Sequence, residues 1–340
     1  MKTAVVILNY NTRDYLRQFL PGLVASCAGL DAQVIVADNA SSDGSLELLQ
    51  AEFPDVPRIP LAENYGFTGG YNRALAQVEA DYYLLINSDI EVPEGWLAPL
   101  VDWMDSHPHC GACGPKLLSY NRRTHFEYAG AAGGRIDRYG YPFCRGRILQ
   151  QVEQDLGQYD LPARVLWVSG ACLLVRSSVW KALGGLDDRF FAHMDEIDLC
   201  WRMQLQGWEV WMVPESFVYH IGGGTLPNES PFKLRLNFRN NLLLLENNLP
   251  GTFRALFPGL SERQCRRRAR MRIGMRMCLD GCSAWVYLVT GRWSFLSSVV
   301  KAHREYRQLR RQGTVPEHPA IPHGLYRGWI VPRGLFGKKR

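Results

Sequence analysis

Three short apolar segments in the first 90 residues alternate with helical segments, and each apolar segment runs into an Asn or Asp. The apolar segments are residues 4–9, 34–37 and 82–86. The helical patterns cover residues 14–24, a stretch from Ser45 onward, and residues 71–78. Such alternation predicts an α/β fold with a mostly parallel sheet covered by helices on both faces.

Polar side chains therefore collect at the carboxyl ends of the predicted strands. Asp38 follows the second strand, and Asn87, Ser88 and Asp89 follow the third. Ligands of parallel sheets bind beyond these strand ends. A carboxylate there suits a hard cation such as Mg²⁺ or Mn²⁺, which also takes substrate phosphate oxygens. On these residues alone, the alternative that both aspartates only form turns stays open.

A dense acidic group lies near the middle of the chain, in a helix predicted over residues 189–206. Asp195, Glu196 and Asp198 fall within four residues. Their mutual repulsion raises the pKa of at least one carboxyl group and costs stability. Such shifted pKa values are frequent at functional sites. Helical spacing puts Asp195 and Asp198 on one face and turns Glu196 elsewhere. A solvated first helical turn is the alternative.

Two further segments are candidates for anion or cation binding. His220 follows short strands predicted at residues 210–213 and 217–219 and precedes the glycine run 222–224. It is either a cation ligand or an ordinary turn histidine. The Gly-rich segment 64–72 precedes a helix and is able to cradle an anion. It matches neither the P-loop nor the dinucleotide-binding pattern.

The rest of the chain predicts three regions. Residues 110–165 read as long loops, a strand returns at 165–176, and the pattern is helical after Lys233. We expect a catalytic domain over residues 1–230, a helical Arg-rich extension over 231–311, and a Pro-containing, extended basic tail over 312–340.

Charge is distributed unevenly along the chain. Residues 263–340 carry 18 Lys and Arg against 3 Asp and Glu, whereas residues 1–262 have a net charge of −9. A basic end on an acidic body indicates an anionic partner. Arginines 266, 267, 268, 270, 272 and 276 precede Trp285, Tyr287, Leu288 and Trp293, a pattern that predicts an interfacial helix on an anionic membrane surface. Packing on the catalytic body is the alternative.

Cysteine usage and hydropathy bear on location. Nine cysteines without regular pairing suit a reducing compartment, and Cys110 and Cys113 are expected to be buried thiols rather than a metal or redox pair. No secretory signal is recognised, and the apolar stretch 284–300 is too interrupted to span a bilayer. We expect a cytoplasmic protein, peripheral on the inner face of the cell membrane.

The order of the motifs is more specific than any one of them. The motifs are, in order, residues 5–11, 36–44, 64–72 and 87–89, then 167–172, 184–187, 195–202 and His220. In this order they strongly resemble the family-2 glycosyltransferases of the GT-A fold. Within that family the chain looks most like the rhamnosyltransferase-type enzymes of bacterial surface-polysaccharide assembly. The resemblance covers about two-thirds of the chain.

The resemblance implies roles for individual residues. Asp38 matches the carboxylate that contacts the nucleotide base. Asp89 matches the last residue of the metal-binding DXD motif, whose first position is Asn87 here, and His220 matches a third metal contact. Glu196 takes the position of the general base, with Asp195 as the runner-up because the usual Glu-Asp order is reversed. The other residues expected at the nucleotide sugar are Asn9, Asn11, Asn64, Gly69 and Asn72.

The implied function is an inverting, metal-dependent sugar transfer. The donor is a nucleoside diphosphate sugar, the acceptor a glycan or lipid-linked glycan, and the cofactor Mg²⁺ or Mn²⁺. A Gln-x-x-Arg-Trp motif of processive synthases is absent, because Gln204 is followed by Leu205, Gln206, Gly207 and Trp208. Three alternatives remain: a nucleotidyltransferase, an inactive nucleotide-sugar-binding homologue, and a nucleic-acid-binding protein. No nucleic-acid-binding motif accompanies the basic charge, so we expect no nucleic acid partner.

Overall fold

A computed structural model describes residues 1–222, 230–311, 313 and 315–336. Its main sheet begins with four parallel strands, β1 (Thr3–Asn9), β2 (Ala32–Asp38), β3 (Arg58–Pro60) and β4 (Tyr82–Ile86). Their apolar residues are buried on both faces; Val5 packs on one side and Val6 on the other. Continuous apolar runs form such strands because helices cover both faces of the sheet.

The second half of the main sheet is mixed. It contains β5 (Ile90–Glu91), β6 (Cys110–Ser119), β11 (Ala163–Arg164), β12 (Cys172–Arg176) and β13 (Glu209–His220). The order is β11-β13-β6-β12-β4-β1-β2-β3, with β5 on β13. The strand β12 runs antiparallel to both β4 and β6, whereas β13 runs parallel to β6. The α/β class is confirmed, and the parallel pattern holds for β1–β4.

Helices cover the two faces in different groups. On one face lie α1 (Arg13–Cys27), α2 (Ser45–Glu52) and α4 (Ala98–Ser106). On the other lie α3 (Gly66–Leu75), α5 (Ser177–Leu183) and α6 (Asp195–Leu205), together with the start of the helical extension. A 3₁₀ turn spans Asp188–Phe190. The predicted helix over residues 189–206 is therefore wrong for its first turns, and α3 begins earlier than predicted.

Residues 110–165 are not the long loops that their glycine content indicates. They contain β6 and the strands β7 (Gly134–Asp137), β8 (Pro142–Cys144), β9 (Arg147–Ile148) and β10 (Gln151–Val152) of a second, small sheet. The glycines serve close packing: a Cβ at Gly134 would overlap the ring of Trp167. The strand predicted over 165–176 is confirmed only for Cys172–Arg176, and the two strands after residue 209 are one, with a bulge between Met212 and Phe217.

The helical extension consists of α7 (Pro231–Leu256), α8 (Glu262–Val289) and α9 (Trp293–Leu309), which pack against one another, while α7 also packs on α6. The tail is extended only in part, since β14 (Leu325–Tyr326) joins the small sheet beside β7 and α10 (Ile330–Phe336) follows. Gln312 and residues 337–340 lie outside the described residues. The boundaries at residues 230 and 311 stay predictions.

Two expectations from composition concern single residue types. All nine cysteines are free, and Cys110 and Cys113 are buried in β6, as expected. Within the described ranges, no helix is both long and apolar enough to cross a membrane.

Candidate active site

The ends of β1 and β2 form one side of the candidate site, which we call the donor edge. Asn9 and Asp38 are paired in register on neighbouring strands. Asn9 Nδ2 donates to Asp38 Oδ1 at 2.7 Å and Ser41 N donates to Asp38 Oδ2 at 2.9 Å. The Asp38 side chain is fully buried. It therefore orders the loop after β2, and its contact with a nucleotide base stays a prediction.

An open cavity lies beside this loop. Its volume is about 440 Å³ and its lining includes Asn11, Arg13, Tyr15 and Asp43. Asn11 has a left-handed backbone (φ 53°) and its Oδ1 accepts a hydrogen bond from Ser42 N at 2.7 Å. The cavity is bordered by the strand-end loops that the sequence assigns to the nucleotide.

The other residues predicted at the nucleotide sugar mainly contact other parts of the protein itself. Asn64 Oδ1 accepts from Asn39 Nδ2 at 3.0 Å and from Gly66 N at 2.9 Å. Asn72 donates to Leu186 O at 2.7 Å and accepts from Leu186 N at 3.0 Å. At Gly69, a Cβ would lie 2.9 Å from the Cβ of Tyr65. These residues fix the loop before α3 and tie it to the segment before α6.

The expected anion cradle at the start of α3 is partly used by the protein itself. The backbone amides of Phe67 and Thr68 donate to Phe191 O at 2.6 and 3.2 Å. These N–H groups therefore anchor the segment before α6. Two glycines of the run that follows His220, at positions 223 and 224, lie outside the described residues.

A polar cluster forms where β4 and β13 end. The strand β5 pairs with β13 so that Ile90 faces His220, which brings Asp89 beside the imidazole. His220 Nε2 lies 3.2 Å from Asp89 Oδ1 and 3.3 Å from Asn87 Nδ2. The two residues predicted to hold a cation, Asp89 and His220, are thus brought together, and Asn87, predicted at the nucleotide sugar, lies beside them.

Glu127 completes this cluster and was missed by the sequence analysis. Its Oε2 lies 3.6 Å from His220 Nδ1 and accepts from Ala129 N at 2.5 Å. The residue is buried. A solitary Glu in a Gly- and Ala-rich stretch is the only signal that the sequence offers for it, and that signal does not point to His220.

Charge in the cluster is balanced between the imidazole and the two carboxylates. Burial alone would lower the pKa of His220, but hydrogen bonds and the charges of Asp89 and Glu127 raise that pKa to about 10. Burial opposes ionisation of Asp89, yet the hydrogen bond and charge of His220 lower its pKa. Asp89 is therefore an anion at neutral pH.

The donor set fits a hard cation only as a partial coordination shell. One carboxylate, one amide and one imidazole meet at the strand ends, and Mg²⁺ or Mn²⁺ accepts such groups together with phosphate oxygens and water. Because the imidazolium form of His220 has no free lone pair, His220 would bind a cation only after losing its proton. Among the described residues, no three His, Cys, Asp or Glu side chains are arranged to hold a metal by themselves. A cation here would need the substrate phosphates for most of its ligands.

Asp195 and Glu196 begin α6 and differ in exposure. Asp195 is buried, and its Oδ2 has no hydrogen-bond partner among the described residues, whereas Glu196 is only partly buried. Burial and then the neighbouring charge of Glu196 raise the pKa of Asp195 well above its usual range. Burial also raises the pKa of Glu196. The neutral form of Asp195 is thus favoured, and Glu196 is the more accessible carboxyl group.

Asp198 does not belong to this pair. It shares the buried face with Asp195, as predicted, but Arg202 Nε donates to its Oδ2 at 2.6 Å. Asn247 and Asn248 donate to its Oδ1 at 2.9 and 2.8 Å. The expectation that Asp198 raises the proton affinity of Glu196 is wrong because its charge is compensated, and the solvated helical turn is excluded for Asp195 and Asp198.

The segment that leads into α6, which we call the base segment (residues 190–198), has a costly backbone. Phe191, His193 and Met194 have φ values of 64°, 71° and 65°. Left-handed conformations cost non-glycine residues about 1–3 kcal/mol each. Asn240 of α7, itself fully buried, donates through Nδ2 to Phe190 O, Ala192 O and His193 O at 2.9, 2.7 and 2.9 Å.

The base segment and the polar cluster meet at the same edge of the sheet. A Cβ on Gly170 would lie 3.4 Å from the Cβ of Glu196. The next residue, Ala171, accepts a hydrogen bond through its carbonyl from Asn87 N at 3.0 Å. One short segment therefore connects the carboxyl group of Glu196 with the end of β4.

Comparison with known proteins identifies the family that the chain resembles. The model of the family "Glycosyl transferase family 2" matches residues 4–166. An N-acetylglucosaminyl-diphospho-decaprenol L-rhamnosyltransferase from Mycobacterium tuberculosis is 26% identical over 274 residues, covering 74% of this chain and 86% of the relative. The family match decides against the nucleotidyltransferase alternative.

Two solved structures share the fold. The mannosyltransferase PcManGT from Pyrobaculum calidifontis, in complex with GDP-Man and Mn²⁺, has a TM-score of 0.53 at 14% identity and covers 91% of this chain and 88% of its own. GalNAc-T7 with UDP, GalNAc and Mn²⁺ has a TM-score of 0.56 at 15% identity, covering 79% of this chain and 54% of its own, so the chain spans about half of that protein. The fold is GT-A, as the sequence predicts. The protein is a glycosyltransferase, and its residues 4–166 match the model of glycosyl transferase family 2.

Proposed function

We propose that the protein transfers a sugar from a nucleoside diphosphate sugar to a glycan or lipid-linked glycan, in a single inverting and metal-dependent step of surface-polysaccharide synthesis. The observation that carries this proposal is the position of the accessible Glu196 beside the buried Asp195 at the start of α6. That pair lies at the sheet edge where Asp89, Asn87 and His220 meet.

Glu196 is the general base of this proposal. It accepts the proton of the acceptor hydroxyl while the hydroxyl oxygen attacks the anomeric carbon of the donor. The bond from that carbon to the diphosphate breaks in the same step, and the electron pair leaves with the diphosphate. One displacement inverts the configuration and needs no covalent enzyme intermediate. A neutral Asp195 keeps a second negative charge away from the attacking oxygen.

Asp89, Asn87 and His220 are the residues that would hold a divalent cation. When bound, such an ion stabilises negative charge on the departing diphosphate. The two structural relatives contain Mn²⁺, which supports this choice of cofactor. Asp89 contributes the anionic ligand, because the amide of Asn87 carries no charge.

The mycobacterial relative supports a lipid-linked acceptor. Its name gives it rhamnose transfer onto a glycosyl diphosphate on a polyprenol. We extend that acceptor class to this protein and propose that it works at the cytoplasmic face of a membrane, where its nine free thiols are compatible with a reducing compartment.

The test is a transfer assay with a panel of nucleoside diphosphate sugars, a lipid-linked acceptor, and Mg²⁺ or Mn²⁺. We expect cation-dependent product whose anomeric configuration, read by NMR, is opposite to that of the donor. Asp89→Ala should abolish transfer and cation-dependent binding of the nucleoside diphosphate while circular dichroism stays native. Retained configuration, or near-normal turnover of Asp89→Ala, would contradict the proposal.

A further inference from the structure

The helices α8 and α9 form a hairpin whose end projects side chains into solvent. The first helix ends at Val289, the second begins at Trp293, and Gly291 between them has a φ of 68°. We call residues 281–300 the hairpin tip. The ring of Tyr287 contacts that of Phe295 at 5.5 Å between centroids, which holds the two helices together near the bend.

Large apolar side chains at this tip are exposed. Trp285, Val289 and Trp293 are 63%, 62% and 65% exposed, and Val286 is 53% exposed. All four lie within about two helical turns of the bend. Clustered exposed aromatic and aliphatic residues mark an interaction surface, because monomeric proteins rarely leave such patches in water. Tryptophan in particular favours the interface between lipid and water.

The charge around the tip has one sign. Arg292 is the only charged residue between positions 281 and 300. Basic side chains follow the tip on α9, and none of these has an ion-pair partner within the described structure: Lys301, Arg304 and Arg307. Arg263, Arg267 and Arg270, likewise without an ion-pair partner there, lie near the opposite end of α8.

The acidic residues of the hairpin are neutralised inside the protein. Asp280 is fully buried, with Arg276 Nε at 2.8 Å and His303 Nε2 at 3.2 Å. Glu305 pairs with Arg235 and Arg239 of α7. The remaining acid of the two helices, Glu262, pairs with Arg266. The surface of the hairpin therefore presents uncompensated positive charge beside exposed apolar groups.

The burial pattern also corrects the expectation of a whole interfacial helix. The helix α8 packs on its neighbours through Cys265, Ala269 and Ile273. Three of the arginines expected on a membrane surface point inward: Arg276 pairs with Asp280, Arg272 donates to Arg138 O, and Arg266 donates to Gly313 O. Of the exposed apolar side chains on the two helices, Met271 and Met275 lie on α8 before the tip, and the others lie in the tip.

We propose that the hairpin tip inserts into the headgroup region of an anionic bilayer, with Trp285 and Trp293 as anchors. The inference rests on the proposed lipid-linked acceptor, which places the second substrate in the same membrane. Arg292 in the bend and the basic residues that follow the tip on α9 add electrostatic attraction to anionic lipid. A lipid surface matches both features of the tip, whereas an ordinary protein interface would leave the basic flanks unused.

Co-sedimentation of the full chain with vesicles tests the proposal. We expect binding to phosphatidylcholine vesicles that contain phosphatidylglycerol, weaker binding at high salt, and little binding to phosphatidylcholine alone. The variant Trp285→Ser/Trp293→Ser should lower the vesicle partition coefficient roughly tenfold or more, since binding scales with buried apolar area. A matched control, Leu156→Ser/Leu161→Ser, removes two side chains that are 78% and 79% exposed elsewhere. It should bind vesicles like the wild type.

The vesicle and transfer experiments together distinguish a failure of the membrane role of the tip from a failure of the proposed function. Transfer to a lipid-linked acceptor without vesicle binding would overturn the role of the tip and leave the function standing. Tip-dependent vesicle binding without transfer to that acceptor would support the tip and contradict the acceptor. Equal binding of the tryptophan variant and the control would overturn the proposal. So would a wild-type dimer that this variant converts to monomer, because the tip would then be a protein interface.

Discussion

The donor edge and the base segment face each other across the candidate site, but their geometry is fixed in different ways. At the donor edge, Asn9, Asp38 and Ser41 bind one another within 32 residues of sequence. In the base segment, the carbonyls of Phe190 and His193 are held by Asn240, 50 and 47 residues away. One side is built by the loops that carry it, and the other by a helix of the C-terminal extension.

This difference follows from the backbone conformations. The donor edge consists of loops that continue regular strands, so side chains at adjacent strand ends meet directly. The base segment contains three left-handed non-glycine residues, whose conformational cost must be offset by surrounding contacts. Asn240 and the amides of Phe67 and Thr68 supply those contacts. The extension is therefore part of the catalytic architecture.

The largest effect that we expect in the base segment is that of Glu196→Gln. The change preserves shape and removes the basic oxygen, so kcat should fall by about two to four orders of magnitude. Donor binding, measured by calorimetry, should stay close to that of the wild type. This outcome would assign the proton transfer to the base segment alone.

Asp195→Asn is the matched control for that change. Because burial and the charge of Glu196 favour the neutral form of Asp195, an amide at this position should alter the charge less than one at position 196, and the loss of kcat should be smaller. An inactive Asp195→Asn beside an active Glu196→Gln would reverse the assignment of the base.

We expect a smaller loss of kcat when Asn240, which supports the base segment, is replaced instead of Glu196. Asn240→Ala removes the side-chain donor to Ala192 O and His193 O, whereas Phe190 O keeps Arg239 Nη2 at 2.7 Å. Misplacing a catalytic group by about 1 Å costs up to 10²-fold in rate, so kcat should fall by roughly 10- to 100-fold. The Michaelis constant for the donor should change little.

Asn39→Ala is the counterpart at the donor edge. Asn39 donates to Asn64 Oδ1 and Gly66 O, both at 3.0 Å, and is buried. Its loss should raise the donor Michaelis constant and affect kcat less. If Asn240→Ala and Asn39→Ala changed the same kinetic constant, the base segment and the donor edge would not have the separate roles that their contacts indicate.

The smallest effect concerns pH. The base must be ionised, so kcat should fall as the pH drops through the pKa of Glu196, which burial places above the ordinary glutamate value of about 4.3. Asp195→Asn should leave the midpoint of this acid limb nearly unchanged, because Asp195 is already neutral. A clear fall of the midpoint in that variant would show that Asp195 carries charge in the wild type.

The sequence predicts the donor edge well because its information is local. Apolar runs that end in Asn or Asp locate β1, β2 and β4, and the carboxyl ends of neighbouring parallel strands must lie together. That rule brings Asn9 beside Asp38. It does not reveal that both Asp38 oxygens already have partners, nor that Asn72 binds Leu186, since side-chain partners depend on tertiary packing.

The acidic residues of the base segment indicate its position in the sequence, but they do not predict its backbone conformation. Periodicity continues a helix back to residue 189, whereas the chain adopts a 3₁₀ turn and left-handed residues there. The contacts that stabilise this conformation come from Asn240, which local sequence cannot associate with residues 190–193. Glu127 was missed for the same reason, because only the folded chain places it beside His220.

We infer that α7 affects catalysis because its residue Asn240 positions Glu196. A double-mutant cycle in kcat tests this inference most directly. The four proteins are the wild type, Asn240→Ala, Glu196→Gln and the double variant, each measured at saturating donor and acceptor with folding checked by thermal melting. If Asn240 positions Glu196, its replacement should cost little once Glu196 is already Gln, and the two effects should be strongly non-additive. Fully additive losses would contradict the claim, since Asn240 would then support activity without acting through the base.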